Sequence, residues 1–212
     1  MSEVSAQLVK DLREKTGAGF MDCKAALRES GADVDAAVRY LRERGLAAAA
    51  KKAGRATSEG LVGSYIHAGG KIGVLMEVAC ETDFVARTDD FQGLVRNLAM
   101  QVAATRPLHV GREDVPEAEV EREREIYAAQ AEQSGKPPQV VTKMVDGKVE
   151  KFFGEICLLE QDYVKEPGKA VSKVIADAIA SLGENITVRR FVRFQLGEGI
   201  DQSQGDDGNT QA

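Results

Sequence analysis

The chain has 212 residues, 43% hydrophobic and 29% charged, enough to bury a sizeable core in one or two domains. Its longest apolar runs fall well short of the ~20 residues that cross a bilayer, and its charged start, MSEVSAQLVKDLREKTG, lacks a secretion signal's apolar centre. A net charge of −6 speaks against a nucleic-acid binder; setting aside the four acids from Glu198 onward leaves a body near −2.

Three cysteines, Cys23, Cys80 and Cys157, cannot all pair within one chain, and none belongs to a CxxC motif. Reduced thiols in a cytoplasmic protein are expected.

Three short helices are predicted over residues 5–45. The first, from about Ser5 to Lys15, carries Leu8, Val9 and Leu12 on one face, with Gly17 as a left-handed cap. The second covers Met21 to Glu29 and ends near Gly31. Asp33 caps the third, where Val34, Ala37, Val38 and Leu41 repeat along one side until Gly45. Residues 46–59, LAAAAKKAGRATSE, read as a helical, basic linker with Lys51, Lys52 and Arg55 exposed.

From residue 60 to 197 an α+β core is expected. Gly69-Gly70 separates two β-like runs and suits a tight hairpin turn. The second run places Ile72, Val74, Met76, Val78 and Cys80 on one face. A covering helix follows, with Phe91, Leu94, Val95, Leu98, Ala99 and Val102 in one stripe behind a Thr88 cap. Between strand and helix lies ETDFVAR, Glu81 to Arg87, where Phe84 is either folded into the core or displayed. Beyond it come a solvated helix over Glu117 to Gln133, a helical piece from Pro137-Pro138 through Met144, and a partly buried helix around Phe152, Phe153 and Ile156. A further helix carries Val171, Val174, Ile175, Ala178 and Leu182 and stops at Gly183. The terminal strand ENITVRRFVRFQLG places Ile186, Val188, Val192 and Phe194 on one parity. Residues 198–212 read as a disordered polar tail.

Catalytic chemistry is hard to assemble. His67 and His109 sit in different segments without a ligand partner at suitable spacing, and neither GxxxxGK[ST] nor GxSxG occurs. Glu77, Glu81 and Asp83 lack a companion that would complete a hydrolytic site. The sequence nominates no catalytic, metal or cofactor residue, and a binding protein is favoured over an enzyme. An adaptor built on the helical module is the competing binding role.

Two stretches, LREKTGAGFMDCKAAL (Leu12 to Leu27) and EVACETDFVAR (Glu77 to Arg87), closely resemble the elongation factor Ts family. The Lys-Lys linker, the hairpin and the RRFVRFQLG strand follow in the matching order, so the resemblance spans about residues 3 to 197. It implies a ubiquitin-associated-like helical domain followed by the family's core. It further implies nucleotide exchange on the GTPase elongation factor Tu, bound in its GDP and nucleotide-free states, without bond chemistry, cofactor, membrane or direct nucleic-acid contact. Thr82, Asp83, Phe84 and Val85 match the segment that dislodges Mg²⁺ from Tu. Met21, Asp22 and Lys24 lie in the stretch resembling a second contact surface. The chain resembles the family's short members, with a single core half, which implies a homodimer; the sequence does not place its interface, for which Val192 and Phe194 on the terminal strand are the candidates. Ala79 stands where the family usually has Asn, removing a hydrogen-bonding group under the loop.

Overall fold

In the computed structural model, which describes residues 4–16 and 18–199, the chain folds as an α+β protein. The Gly17 cap and the tail from residue 200 onward fall outside the described residues.

Helices α1 (Ala6–Thr16), α2 (Phe20–Glu29) and α3 (Val34–Lys52) bury Val9, Leu12, Cys23, Ala26, Leu27 and Ala37 in a small core of their own. Asp33 caps α3 as expected, its carboxylate accepting a 2.8 Å hydrogen bond from the Ala36 amide.

Gly45 does not end α3. The helix runs through it to Lys52, because Gly45 is buried where a Cβ would stand 3.3 Å from the Ala180 Cβ. The roughly 1 kcal/mol that a mid-helix glycine costs is offset by this close approach and by the alanine run that follows. The amino-terminal half of α3 therefore packs on α1 and α2, while its other half packs on the core. The basic residues beyond Gly45 are partly spent internally. Lys52 Nζ donates to the Ile179 carbonyl at 3.5 Å, and Arg55 pairs with Glu81 at 3.4 Å.

Strands β1 (Glu59–Ile66), β2 (Ile72–Cys80) and β3 (Ile186–Gln195) form an antiparallel sheet in the order β1-β2-β3. The hairpin loop is longer than a two-residue turn. The His67 amide donates to the Ile72 carbonyl, and Gly69 and Gly70, with φ of 89° and 70°, supply the left-handed backbone that reverses the chain. Val74, Met76, Val78 and Cys80 point into the core as their alternation predicts.

The terminal strand departs from simple alternation. A register shift at Glu77/Val78 leaves Arg189 unpaired, since Val78 faces Val188 while Glu77 faces Arg190. One extra residue exchanges the two faces. Ile186, Val188 and Phe191 consequently pack on the helix side, and Val192 and Phe194 emerge on the opposite side. Period-2 reading had placed all of them except Phe191 together.

Helices α4 (Asp83–Ala86), α5 (Asp89–Thr105) and α8 (Val171–Leu182) lie on the helix side of the sheet. Phe91, Leu98, Ala99 and Val102 are fully buried, and Thr88 Oγ1 accepts from the Phe91 amide at 3.2 Å, so the expected stripe and cap are both present. The buried line on α8 is Val171, Ile175 and Ile179, with Val174, Ala178 and Leu182 at its margin.

Helices α6 (Glu117–Glu132) and α7 (Pro138–Ile156) form a hairpin with a separate core around Ala131, Val145 and Val149. The two helical pieces expected between Pro138 and Ile156 are a single helix, because packing on α6 outweighs the weak break at Gly147. At the foot of the hairpin, Arg112 bonds both Glu150 and Glu160 while stacking 4.6 Å above the Phe153 ring. Buried Gln101 ties the neighbouring loop to α5: its Nε2 donates to the Asp162 carbonyl and its Oε1 accepts from the Val164 amide.

Candidate functional site

The segment between β2 and α5 folds as the single turn α4, not as an open loop. Thr82 begins it, with its hydroxyl accepting from the Val85 amide at 3.4 Å. The Arg87 amide donates to the Asp83 carbonyl, and Thr88 Oγ1 donates to the Val85 carbonyl at 2.8 Å, closing the far end. Ala86 is buried and Val85 packs at the edge of the main core. Those two residues point inward, so Phe84 cannot: its ring is 86% exposed. Asp83, also exposed, binds Arg87 through two contacts, Oδ2 to Nη2 at 2.6 Å and Oδ1 to Nε at 3.1 Å. An exposed pair of this kind contributes little to stability.

Beneath the turn, three segments are cross-tied. The Glu184 carboxylate accepts from the Glu81 amide at 3.1 Å, the Thr82 amide at 3.0 Å and the Thr82 hydroxyl at 2.6 Å. In return, Glu81 Oε1 accepts from the Asn185 amide at 2.6 Å. Asn185, itself buried, donates through Nδ2 to the Arg55 carbonyl at 2.9 Å and the Ala53 carbonyl at 3.5 Å. The Cys80 thiol donates to the Thr82 carbonyl at 3.2 Å; burial pushes its pKa up, and the nearby Glu184 charge adds to that rise. This is a thiol suited to structure and not to reactivity.

Sequence reading reached Thr82 to Val85 but missed Glu184 and Asn185, which lie about a hundred residues away. The signal was the strand register. Since β2 and β3 end on the pair Cys80 and Ile186, the next residues, Glu81 and Asn185, must meet. The hydrogen bonds of the turn come from these groups and need no side chain at position 79, so Ala79 leaves them intact.

The second candidate set sits on α2. Met21 is 70% exposed, Asp22 is exposed and Lys24 is half-buried. Phe20, not singled out from sequence, is exposed beside them. Asp22 also lines a cleft of about 470 Å³ between the amino-terminal helices and α8. Among the described residues no hydrogen bond or ion pair joins this set to Thr82–Val85; what links them is α3, which touches both cores. His109 does have an acidic neighbour, Glu119 at 3.5 Å, which its sequence spacing had not suggested.

Comparison with known proteins decides the family. Residues 32–198 match the family model described as Elongation factor TS. The chain belongs to the elongation factor Ts family. Among curated members named Elongation factor Ts, that of Desulforamulus reducens is 56% identical over 206 residues, covering 97% of this chain and 95% of the relative. The member from Thermoanaerobacter sp. is 58% identical over 203 residues, covering 96% of this chain and 100% of its own length. A third, from Geobacter sulfurreducens, is 56% identical over 203 residues, with 96% and 94% coverage. As an elongation factor Ts family member, the chain is a translation elongation factor, and the displayed Phe84 is to be explained in that setting.

Proposed function

We propose that the chain is a guanine-nucleotide exchange factor for elongation factor Tu, acting in the cytoplasm without bond chemistry of its own. The observation that carries the reading is Phe84. A large apolar side chain is 86% exposed on a turn whose neighbours and hydrogen bonds leave it no part in the core. On binding Tu-GDP, Phe84 enters an apolar pocket of the GTPase, and the resulting shift disturbs the Mg²⁺ and phosphate contacts. Thr82 and Val85 hold the turn. Asp83 exchanges its Arg87 partner for donors on Tu, a swap that costs little because both groups are solvated. Met21, Asp22 and Lys24 form a secondary contact.

The energetics limit what the wedge does alone. Coupling between factor and nucleotide is reciprocal, and each tenfold weakening of GDP requires about 1.4 kcal/mol. Burying one phenylalanine supplies roughly 1.5–3 kcal/mol, or about one to two decades. Larger acceleration draws on the remaining interface and on lost metal contacts, since the cation offsets phosphate charge. The deciding measurement is release of a fluorescent GDP from Tu with and without this protein. Equal rates would sink the reading, and binding of Tu by the full chain with no change in release would favour the adaptor role.

The same reading includes a homodimer. The side of the sheet away from the helices exposes Val62, Ile66, Leu75, Val192 and Phe194 on all three strands. A two-fold pairing of these faces would cover it. Phe194→Glu is expected to convert a dimer to a monomer in sedimentation velocity at micromolar concentration without altering the circular dichroism spectrum. A wild-type chain that sediments as a monomer removes this part of the proposal.

A further inference from the structure

A helix of four residues does not hold its own shape, because the first turn fixes several dihedral angles for very few hydrogen bonds. The conformation of α4 must be imposed from outside. Its far end is held by Ala86 and Val85 against the core. Its near end is held by Glu184, which reaches across from the start of β3. That carboxylate accepts three hydrogen bonds from two consecutive residues, and the 2.6 Å bond from the Thr82 hydroxyl also orients the oxygen that receives the Val85 amide. No other carboxylate among the described residues bonds the Glu81 or Thr82 amide.

We propose that Glu184 is a positioning residue for nucleotide exchange, acting on Phe84 through the Thr82 cap. The inference rests on the exchange-factor reading above and extends it to a residue from the opposite end of the core. With Glu184 in place, the turn is formed before the partner arrives. Without it, only a fraction of molecules carry Phe84 at the entry angle, and the effective strength of insertion falls by that fraction.

The test is a double-mutant cycle on the full chain, reading fluorescent GDP release from Tu at saturating factor for wild type, Glu184→Gln, Phe84→Ala and the double variant. Glu184→Gln is expected to slow release roughly tenfold, the scale set by losing charge-assisted hydrogen bonds. The double variant is expected to be no slower than Phe84→Ala alone, because the carboxylate acts only through the ring. Hydrogen exchange at the Glu81, Thr82 and Val85 amides should rise in the Gln variant. Wild-type release by Glu184→Gln, or two losses that simply multiply, overturns the positioning role while leaving the wedge standing. Wild-type release by Phe84→Ala overturns the wedge itself, and the positioning role with it. If Glu184→Gln does not fold, Thr82→Val, which removes the hydroxyl and keeps the side-chain shape, takes its place in the same cycle.

Discussion

Replacing Phe84 by alanine is expected to slow stimulated GDP release from elongation factor Tu by roughly ten- to a hundredfold, the range given by losing one buried phenylalanine at the proposed interface. The melting temperature stays where it was, because a side chain 86% exposed in the free protein contributes almost nothing to folding. Stopped-flow release and a thermal melt on one preparation read both halves of the expectation. Preserved release with a lowered melting temperature would mean that the ring plugs the core. If the ring is buried fully only once the nucleotide site has opened, as the proposed exchange function requires, the loss appears in the maximal rate and not only in the concentration of factor required.

Phe91→Ala should do the reverse. Seven residues further along, the same side chain is 0% exposed, at the start of the stripe by which α5 covers the sheet. Its removal leaves a cavity and costs about 3–5 kcal/mol of unfolding free energy. In a chain of this size that lowers the melting temperature by roughly 10 °C. Urea unfolding measures it directly, as a lower midpoint with an unchanged slope. A change below about 1 kcal/mol would mean that α5 is not packed as described. One chemical deletion, made on either side of Thr88, thus separates what the chain shows its partner from what it keeps for itself.

Much of this was readable from the residues. The alternation of Val74, Met76, Val78 and Cys80, the stripe beginning at Phe91, and the Asp33 and Thr88 caps all express local periodicity or a local hydrogen bond. What escaped was decided by distant partners. Gly45 looked like a stop because only Ala180 makes it a contact point. Val192 and Phe194 changed faces because the unpaired Arg189 is visible only once β2 lies alongside. The displayed turn was legible as a motif, but its support was not. Glu184 and Asn185 become its anchors only when the strand register brings them beside Glu81 and Thr82.

The unbroken course of α3 has a geometric consequence. Its early residues Ala37, Val38 and Leu41 are keyed to one core, while Gly45 and Ala49 are keyed to the other. Both sets ride on one shaft of 19 residues, about 28 Å long. Each residue advances the shaft by about 100°. Adding a single alanine between Leu41 and Gly45 would therefore swing the Met21 surface about a quarter-turn around the axis relative to Phe84. Adding seven would return it to within about 20° of its original bearing, some 10 Å further out. The number of residues between the two keys sets the angle at which the chain presents its two surfaces together.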